Sequence, residues 1–145
     1  MDPLFDFTGK VVLVTGGSRG LGYQMVKAFA ERGADVIVAS RKLENCEIVA
    51  AEMRALGRKA LAVSVHAGRW AELDRLVEQA YAAFGKIDIL VNNAGMSPRS
   101  PSHEVTEQMF DSVVNLNFKG PFRLASQVAK RMSDGGGGCI INVTS

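Results

Sequence analysis

A bilayer-length apolar run, a set of paired cysteines and an excess of either charge are all missing from these 145 residues. Each absence removes a class of protein. No apolar stretch approaches the ~20 residues of a membrane span, and the opening Met-Asp-Pro-Leu-Phe-Asp-Phe has no basic segment leading into an apolar core. The sequence therefore reads as soluble and cytoplasmic, with no membrane partner. Cys46 and Cys139 are the only cysteines and lack paired metal-ligand spacing, which predicts buried thiols in a reducing compartment and no metal centre. The 17 Lys and Arg are interleaved with 15 Asp and Glu for a net charge of +2, so there is no basic stripe for nucleic acid. Low complexity is confined to Gly135–Gly138. No helix follows that run, so it reads as a flexible connection and not as a phosphate loop.

What is present fits one folded unit over 1–145, because 47% apolar and 22% charged residues at this length suffice for a real core. Short Val/Ile/Leu-rich runs alternate with stretches of helical period, the pattern of βαβ units around a parallel sheet covered on both faces. Five strands are predicted, at Val11–Thr15, Asp35–Ala39, Ala60–Val65, Ile87–Val91 and Cys139–Val143. The fold class is α/β, a Rossmann-like doubly wound sheet of order 3-2-1-4-5. Three apolar helix stripes lie between the strands: Leu21, Met25, Ala28 and Phe29; Val49, Met53 and Leu56; and Leu73, Leu76, Val77, Ala80 and Phe84. Gly33, Gly57 and Gly85 follow them as left-handed helix ends. A fourth helix, about Thr106 to Met132, carries Gly120-Pro121. Pro121 cannot donate to the Asn117 carbonyl, so a kink is predicted there, with the Asn117 side chain near an apolar face of Phe110 and Val113.

Open parallel sheets bind ligands beyond the carboxyl ends of their strands. The residues at those ends here are Thr15-Gly-Gly-Ser-Arg-Gly-Leu-Gly22, Ser40-Arg41, His66, Asn92-Asn93-Ala94-Gly95 and Thr144-Ser145. The glycine turn, with Gly16, Ser18, Arg19, Gly20, Leu21 and Gly22, lets backbone N–H groups and a helix start approach a pyrophosphate. A fold that prefers NAD places an acid roughly 20 residues further on to bind the ribose 2′-hydroxyl, whereas arginine accommodates a 2′-phosphate. Asp35 has about that spacing but starts its strand, away from the ligand end. Arg41 and Arg19 stand at the ligand end, which favours NADP(H) over NAD(H).

Thr15-Gly16-x-x-x-Gly20-x-Gly22 with Asn92-Asn93-Ala94-Gly95 and Ile141-Asn142-Val143-Thr144-Ser145 resembles the short-chain dehydrogenase/reductase family, near its 3-oxoacyl-carrier-protein reductase branch. The resemblance implies an NAD(P)(H)-dependent oxidoreductase transferring hydride between nicotinamide and a small carbonyl or alcohol substrate, assembled as a homodimer or homotetramer. It implies that Asn117 and Ser145 are catalytic and that Asn93, Ala94 and Gly95 join the cofactor site. His66 departs from the family, which usually has an acid or amide there, hydrogen-bonded to adenine. The family's catalytic tyrosine and lysine belong to a Tyr-x-x-x-Lys segment beyond the serine. The one such spacing here, Tyr23 to Lys27, lies on the wrong helix and reads as coincidence.

The expectation is thus an incomplete cofactor-binding portion, inactive alone, with the fifth strand an exposed edge that invites pairing and poor solubility. A non-catalytic nucleotide-binding protein would show the same glycine turn. A methyltransferase would present an acid where Ser40-Arg41 stands.

Overall fold

The computed structural model describes residues 2–145, and its centre is the strand β1, Val11–Thr15, all five residues of which are buried. β1 pairs in parallel with β2, Asp35–Ser40, on one side and with β4, Ile89–Asn92, on the other. β3, Ala60–Ser64, adds outside β2, and β5, Cys139–Asn142, outside β4. The order β3-β2-β1-β4-β5 is the predicted one. The chain winds outward to β3 and then crosses back over β1, which opens a crevice at the carboxyl ends of β1 and β4.

Alternate residues of β1 serve the two faces, as a strand requires. Leu13 packs with Ile37, Leu76 and Leu90 under α3, Trp70–Phe84, and α5, Gly120–Asp134. Val12 and Val14 pack with Val36 and Val38 under α1, Gly20–Glu31, and α2, Leu43–Ala55. The third apolar stripe is buried as predicted, with Phe84 only partly covered. The second keeps Val49 and Met53 and loses only Leu56, while the first is shifted. In α1 the buried line is Gly22, Val26 and Ala30, while Leu21 is exposed, because the side-chain-free Gly22 lets the helix close onto the turn before it. In α2 the line is Cys46, Val49, Ala50 and Met53, and Leu56 is exposed. Gly33, Gly57 and Gly85 do take positive φ at the helix ends.

The predicted fourth helix is three segments: α4, Glu107–Val114, a π-helical segment, Asn115–Lys119, and α5. The Gly120 N–H reaches back to the Asn115 carbonyl, so the proline is accommodated by a widened turn. Neither Phe110 nor Asn117 is buried, contrary to the expected apolar setting of the asparagine. Two stacked cations hold α5 on α3. Arg123 makes a two-point ion pair with Asp74 (2.7 and 2.9 Å) and lies 4.5 Å over the Trp70 ring; Arg131 lies 4.6 Å over Tyr81 and pairs with Glu78. Gly135–Gly138 folds into a tight turn, with Gly136 and Gly137 at positive φ and the Gly137 N–H on the Met132 carbonyl. Cys46 is buried, but Cys139 is exposed on the edge strand, where Ile141 keeps 40% of its surface in solvent. Among the described residues no helix is long and apolar enough to cross a membrane.

Candidate active site and nucleotide cradle

β1 ends at Thr15 and the chain turns through Gly16 at φ 64° and Gly20 at φ 56° into α1. A Cβ on Gly22 would collide with the Gly16 carbonyl oxygen, so only glycine lets the first turn of α1 pack this close. A Cβ on Gly20 would meet nothing within 4 Å, which leaves open space in front of the helix start. Arg19, the residue before α1, makes no side-chain cap, and no acid lies in the first turn. The starts of α2 and α3 are also uncapped by side chains, but each carries a glutamate in its first turn, Glu44 and Glu72. Of these three helix starts only that of α1 keeps its positive end uncompensated, as an anion site needs.

The turn is locked from across the switch point. Thr15 Oγ1 accepts the N–H groups of Asn93 and Ala94, both at 3.0 Å, and the Asn93 amide donates to the carbonyls of Thr15 (3.2 Å) and Gly16 (3.3 Å). Asn93 therefore spends its side chain on the shape of the glycine turn. Asn92 is buried and donates to Asn142 Oδ1 at 3.0 Å, tying β4 to β5.

Beside the turn, at the end of β2, Ser18 Oγ donates to Ser40 Oγ at 2.9 Å. Arg19 and Arg41 are both exposed, and neither has a carboxylate partner among the described residues. A cleft of about 240 Å³ opens next to Arg19, lined by Ser18, Tyr23, Asn45, Ile48 and Glu52. Asp35, at the far end of β2, accepts the Lys59 N–H at 2.8 Å, well away from these arginines. Free donors, a bare helix start and two unpaired guanidinium groups suit the phosphates of a dinucleotide.

His66 follows β3 in a tight turn, its N–H donating to Glu72 Oε1 at 3.0 Å. That hydrogen bond, with Arg69 alongside, holds the Glu72 carboxyl below the usual carboxylate range despite partial burial. On the other side of the crevice the Asn117 side chain accepts the Met96 N–H at 2.9 Å and donates to the Met96 carbonyl at 2.7 Å. It thereby anchors the residue after Gly95 to the π-helical segment. A Cβ on Gly95 would lie 3.3 Å from Asn117 Oδ1, which is a reason for glycine there. Ser145 lies three residues past β5, at the same end of the sheet as the glycine turn, and is exposed.

Tyr23 does not join this group. Its hydroxyl donates to Glu52 at 2.7 Å, and that hydrogen bond pushes the phenol above its ordinary pKa, while Lys27 pairs with Glu31. A phenol made harder to ionise, with its lysine turned elsewhere, fits the reading of that spacing as coincidence.

A profile of the short chain dehydrogenase family matches residues 10–145. The chain belongs to that family. The 2-dehydro-3-deoxy-D-gluconate 5-dehydrogenase of Dickeya dadantii (strain 3937) is 41% identical over 142 residues, which is 97% of this chain and 55% of that protein. A short-chain type dehydrogenase/reductase from Mycobacterium marinum superposes with a TM-score of 0.93 at 35% identity, covering 98% of this chain and 56% of that one. A metagenomic short-chain oxidoreductase crystallised with NADP superposes with a TM-score of 0.92 at 30% identity, covering 97% of this chain and 64% of that one. The chain spans about half the length of the curated relatives it matches.

Family membership fits the switch-point geometry. The sequence points to Thr15 and Ser40 only as members of strand-end segments, without their hydrogen-bond partners, and Asn45 on α2 carries no signal, since an amide near a helix start is common. Gly120 is a structural necessity, because a Cβ there would collide with the Ala67 carbonyl oxygen, whereas a Cβ on Gly68 would be tight, 3.2 Å from His66 Cε1 and 3.3 Å from the Leu116 nitrogen.

Proposed function

We propose that residues 1–145 form the cofactor-binding portion of an NADP(H)-dependent oxidoreductase acting on a small carbonyl or alcohol. The observation that carries the reading is the uncompensated start of α1 beside two arginines that have no carboxylate partner among the described residues. Backbone N–H groups of Gly20, Leu21 and Gly22 face the pyrophosphate, while Arg19, Arg41, Ser18 and Ser40 surround the 2′-phosphate. Asn93 keeps the glycine turn in shape, and Ala94 and Gly95 let the backbone approach the ribose closely.

The nicotinamide, when bound, supplies or accepts hydride. Ser145 lends its hydroxyl to the substrate oxygen, and Asn117 holds the segment after Gly95 and contributes its backbone carbonyl to proton transfer. Proton transfer to that oxygen needs an acid that these residues do not supply, so they bind cofactor without turnover. In the whole enzyme, pairing of the exposed apolar faces produces a homodimer or homotetramer, and the setting is cytoplasmic.

Titration of the chain with NADPH and NADH, followed by nicotinamide fluorescence, tests the reading. NADPH is expected to bind at least 10-fold more tightly, since a charge-assisted phosphate contact contributes about 1.5–3 kcal/mol. Equal affinities overturn the assignment of the arginines, and no binding of either overturns the cradle.

A further inference from the structure

The cleft of about 240 Å³ beside Arg19 is walled by one stripe from each of two helices. The first wall is Arg19 and Tyr23, one helical turn apart, with the Tyr23 N–H on the Arg19 carbonyl at 3.2 Å. The second is Asn45, Ile48, Val49 and Glu52 of α2, whose spacing puts them on one helix face. Because α1 and α2 both follow parallel strands, Arg19 and Asn45 stand near the starts of the two helices, with Tyr23 and Glu52 further along. The Tyr23 hydroxyl closes the far end, donating to Glu52 Oε2 at 2.7 Å.

The two ends of this cleft carry opposite, uncompensated charges. Among the described residues Arg19 has no carboxylate partner and Glu52 no cationic one, and the two do not pair with each other. The phenol is a neutral donor, so it leaves the charge of Glu52 in place. Other charges on these helices are already matched, Lys27 with Glu31 and Arg54 with Glu47. Between the ends the lining is apolar: Val49 is buried, while Ile48 keeps 62% of its surface in solvent. A guanidinium, a stretch of hydrocarbon and a carboxylate, in that order, are complementary to a ligand with the reverse order of charges.

We propose that the cleft between α1 and α2 binds a straight-chain ω-amino acid, its carboxylate on Arg19 and the Asn45 amide, its ammonium on Glu52 and its methylenes over Ile48 and the Tyr23 ring. Helix geometry sets the length. Arg19 and Tyr23 are about 5.4 Å apart along α1, and Asn45 and Glu52 about 10 Å apart along α2. An extended chain advances roughly 1.2 Å per bond, so a ligand with about six bonds between its nitrogen and its carboxyl carbon spans about 7 Å and falls within those limits. Such a ligand occupies the Arg19 guanidinium and so withdraws it from the nucleotide phosphate. That consequence rests on the NADP(H) reading above, whereas the cleft and its charges do not.

The probe is 6-aminohexanoate, titrated into the ¹⁵N-labelled chain. Saturable shifts of the Tyr23, Asn45, Ile48 and Glu52 amides are expected, and hexanoate or hexylamine, each lacking one charge, should bind about 10-fold or more weakly, the size of one charge-assisted contact. Glu52→Gln keeps an acceptor for the Tyr23 hydroxyl. It is expected to weaken 6-aminohexanoate about 10-fold while leaving hexanoate unchanged, a difference that a merely structural role for Glu52 does not produce. No saturable shift at these residues, or hexanoate binding as tightly as 6-aminohexanoate, overturns the proposal; the ligand series uses the unmodified chain, so it stands even where the variant fails to fold. With the cleft filled, NADPH is expected to bind about 3-fold or more weakly and NADH unchanged, because only the former uses Arg19 for its extra phosphate. A filled cleft with no such difference overturns the sharing of Arg19 and leaves the amino-acid site in place. Failure of NADPH to bind the chain alone overturns the nucleotide reading instead, and the spectra still decide the cleft.

Discussion

β1 and β5 are both short, apolar and parallel, yet they occupy opposite surroundings. Val11–Thr15 lies between two strands and under helices on both faces, with every residue buried. Cys139–Asn142 has one neighbour, β4, and only Ile140 is partly covered. The same contrast runs through the helices. α1 and α2 turn their large apolar side chains inward save Leu21, Leu43, Ile48 and Leu56, whereas α4, the π-helical segment and α5 expose Phe110, Val114, Phe118 and Phe122, four residues apart along the chain. The lesson is that apolar sequence alone does not say where burial is complete. The half around β1, β2 and β3 supplies its own cover and carries the glycine turn, while the half around β4 and β5 holds Asn117 and Ser145 on a surface that the described residues leave open.

Truncation of one side chain in each half breaks or sustains this contrast most directly. Leu13 is completely buried, and Leu13→Ala is expected to cost about 2–5 kcal/mol of unfolding free energy through lost burial and the cavity left behind. Ile141→Ala, on the half-exposed strand, is expected to cost under about 1 kcal/mol. Urea denaturation of both variants gives the comparison. Equal costs mean that β5 is packed as tightly as β1, and the contrast fails.

The next largest effect is expected in the cradle. Arg41 follows the carboxyl end of β2, and its guanidinium has no carboxylate partner among the described residues. Arg41→Ala is expected to weaken NADPH about 10- to 100-fold, the value of a charge-assisted contact, and NADH no more than about 3-fold. Fluorescence titration with both dinucleotides reads the difference. A parallel loss for NADH assigns Arg41 to the shape of the site and removes its role in choosing the cofactor.

Much of the self-covered half was legible because its signals are local. β1 has the predicted bounds, since an apolar run sits between Lys10 and a glycine turn, and the three glycines after the helices mark their ends through their own φ. β4 was predicted from Ile87, but pairing begins at Ile89. Asp88 accepts the Val11 N–H on its carboxylate, donates its own N–H to the Val11 carbonyl and accepts the Cys139 N–H on its carbonyl, so backbone bonds to both neighbours start one residue before the paired register at Ile89. In α1, Leu21 matched helical period but a glycine took the buried position, because close packing against Gly16 outweighs apolar area. The candidate site was legible as a list of strand ends and much less as a set of contacts. Asn93 reaches the carbonyls of Thr15 and Gly16 across more than 70 residues, and Asn117 reaches Met96 across 21. No local pattern encodes such a partner; the sheet order does.

A smaller effect is expected at the turn itself. Gly20 has φ 56° with open space around a Cβ, so Gly20→Ala meets no clash but must hold a left-handed backbone, at a cost of about 1–2 kcal/mol. Thermal unfolding measures the cost. No loss of stability shows that the turn relaxes to negative φ, and weakened NADPH binding then reports how far the cradle depends on that geometry.

The smallest change in stability belongs to the open half, where it separates two uses of an apolar side chain. Phe118 keeps 74% of its surface exposed on the π-helical segment, so its ring removes little surface from water within the chain. Phe118→Ser should therefore leave the unfolding free energy within about 0.5 kcal/mol of the parent. Its larger consequence lies between molecules, because a contiguous apolar face drives association when nothing else covers it. Sedimentation of the variant at increasing concentration is expected to show less self-association than the parent. Loss of more than about 2 kcal/mol on denaturation instead means that Phe118 is packed within the chain, which removes the distinction between a half whose apolar residues stabilise the fold and a half whose apolar residues wait for a neighbour.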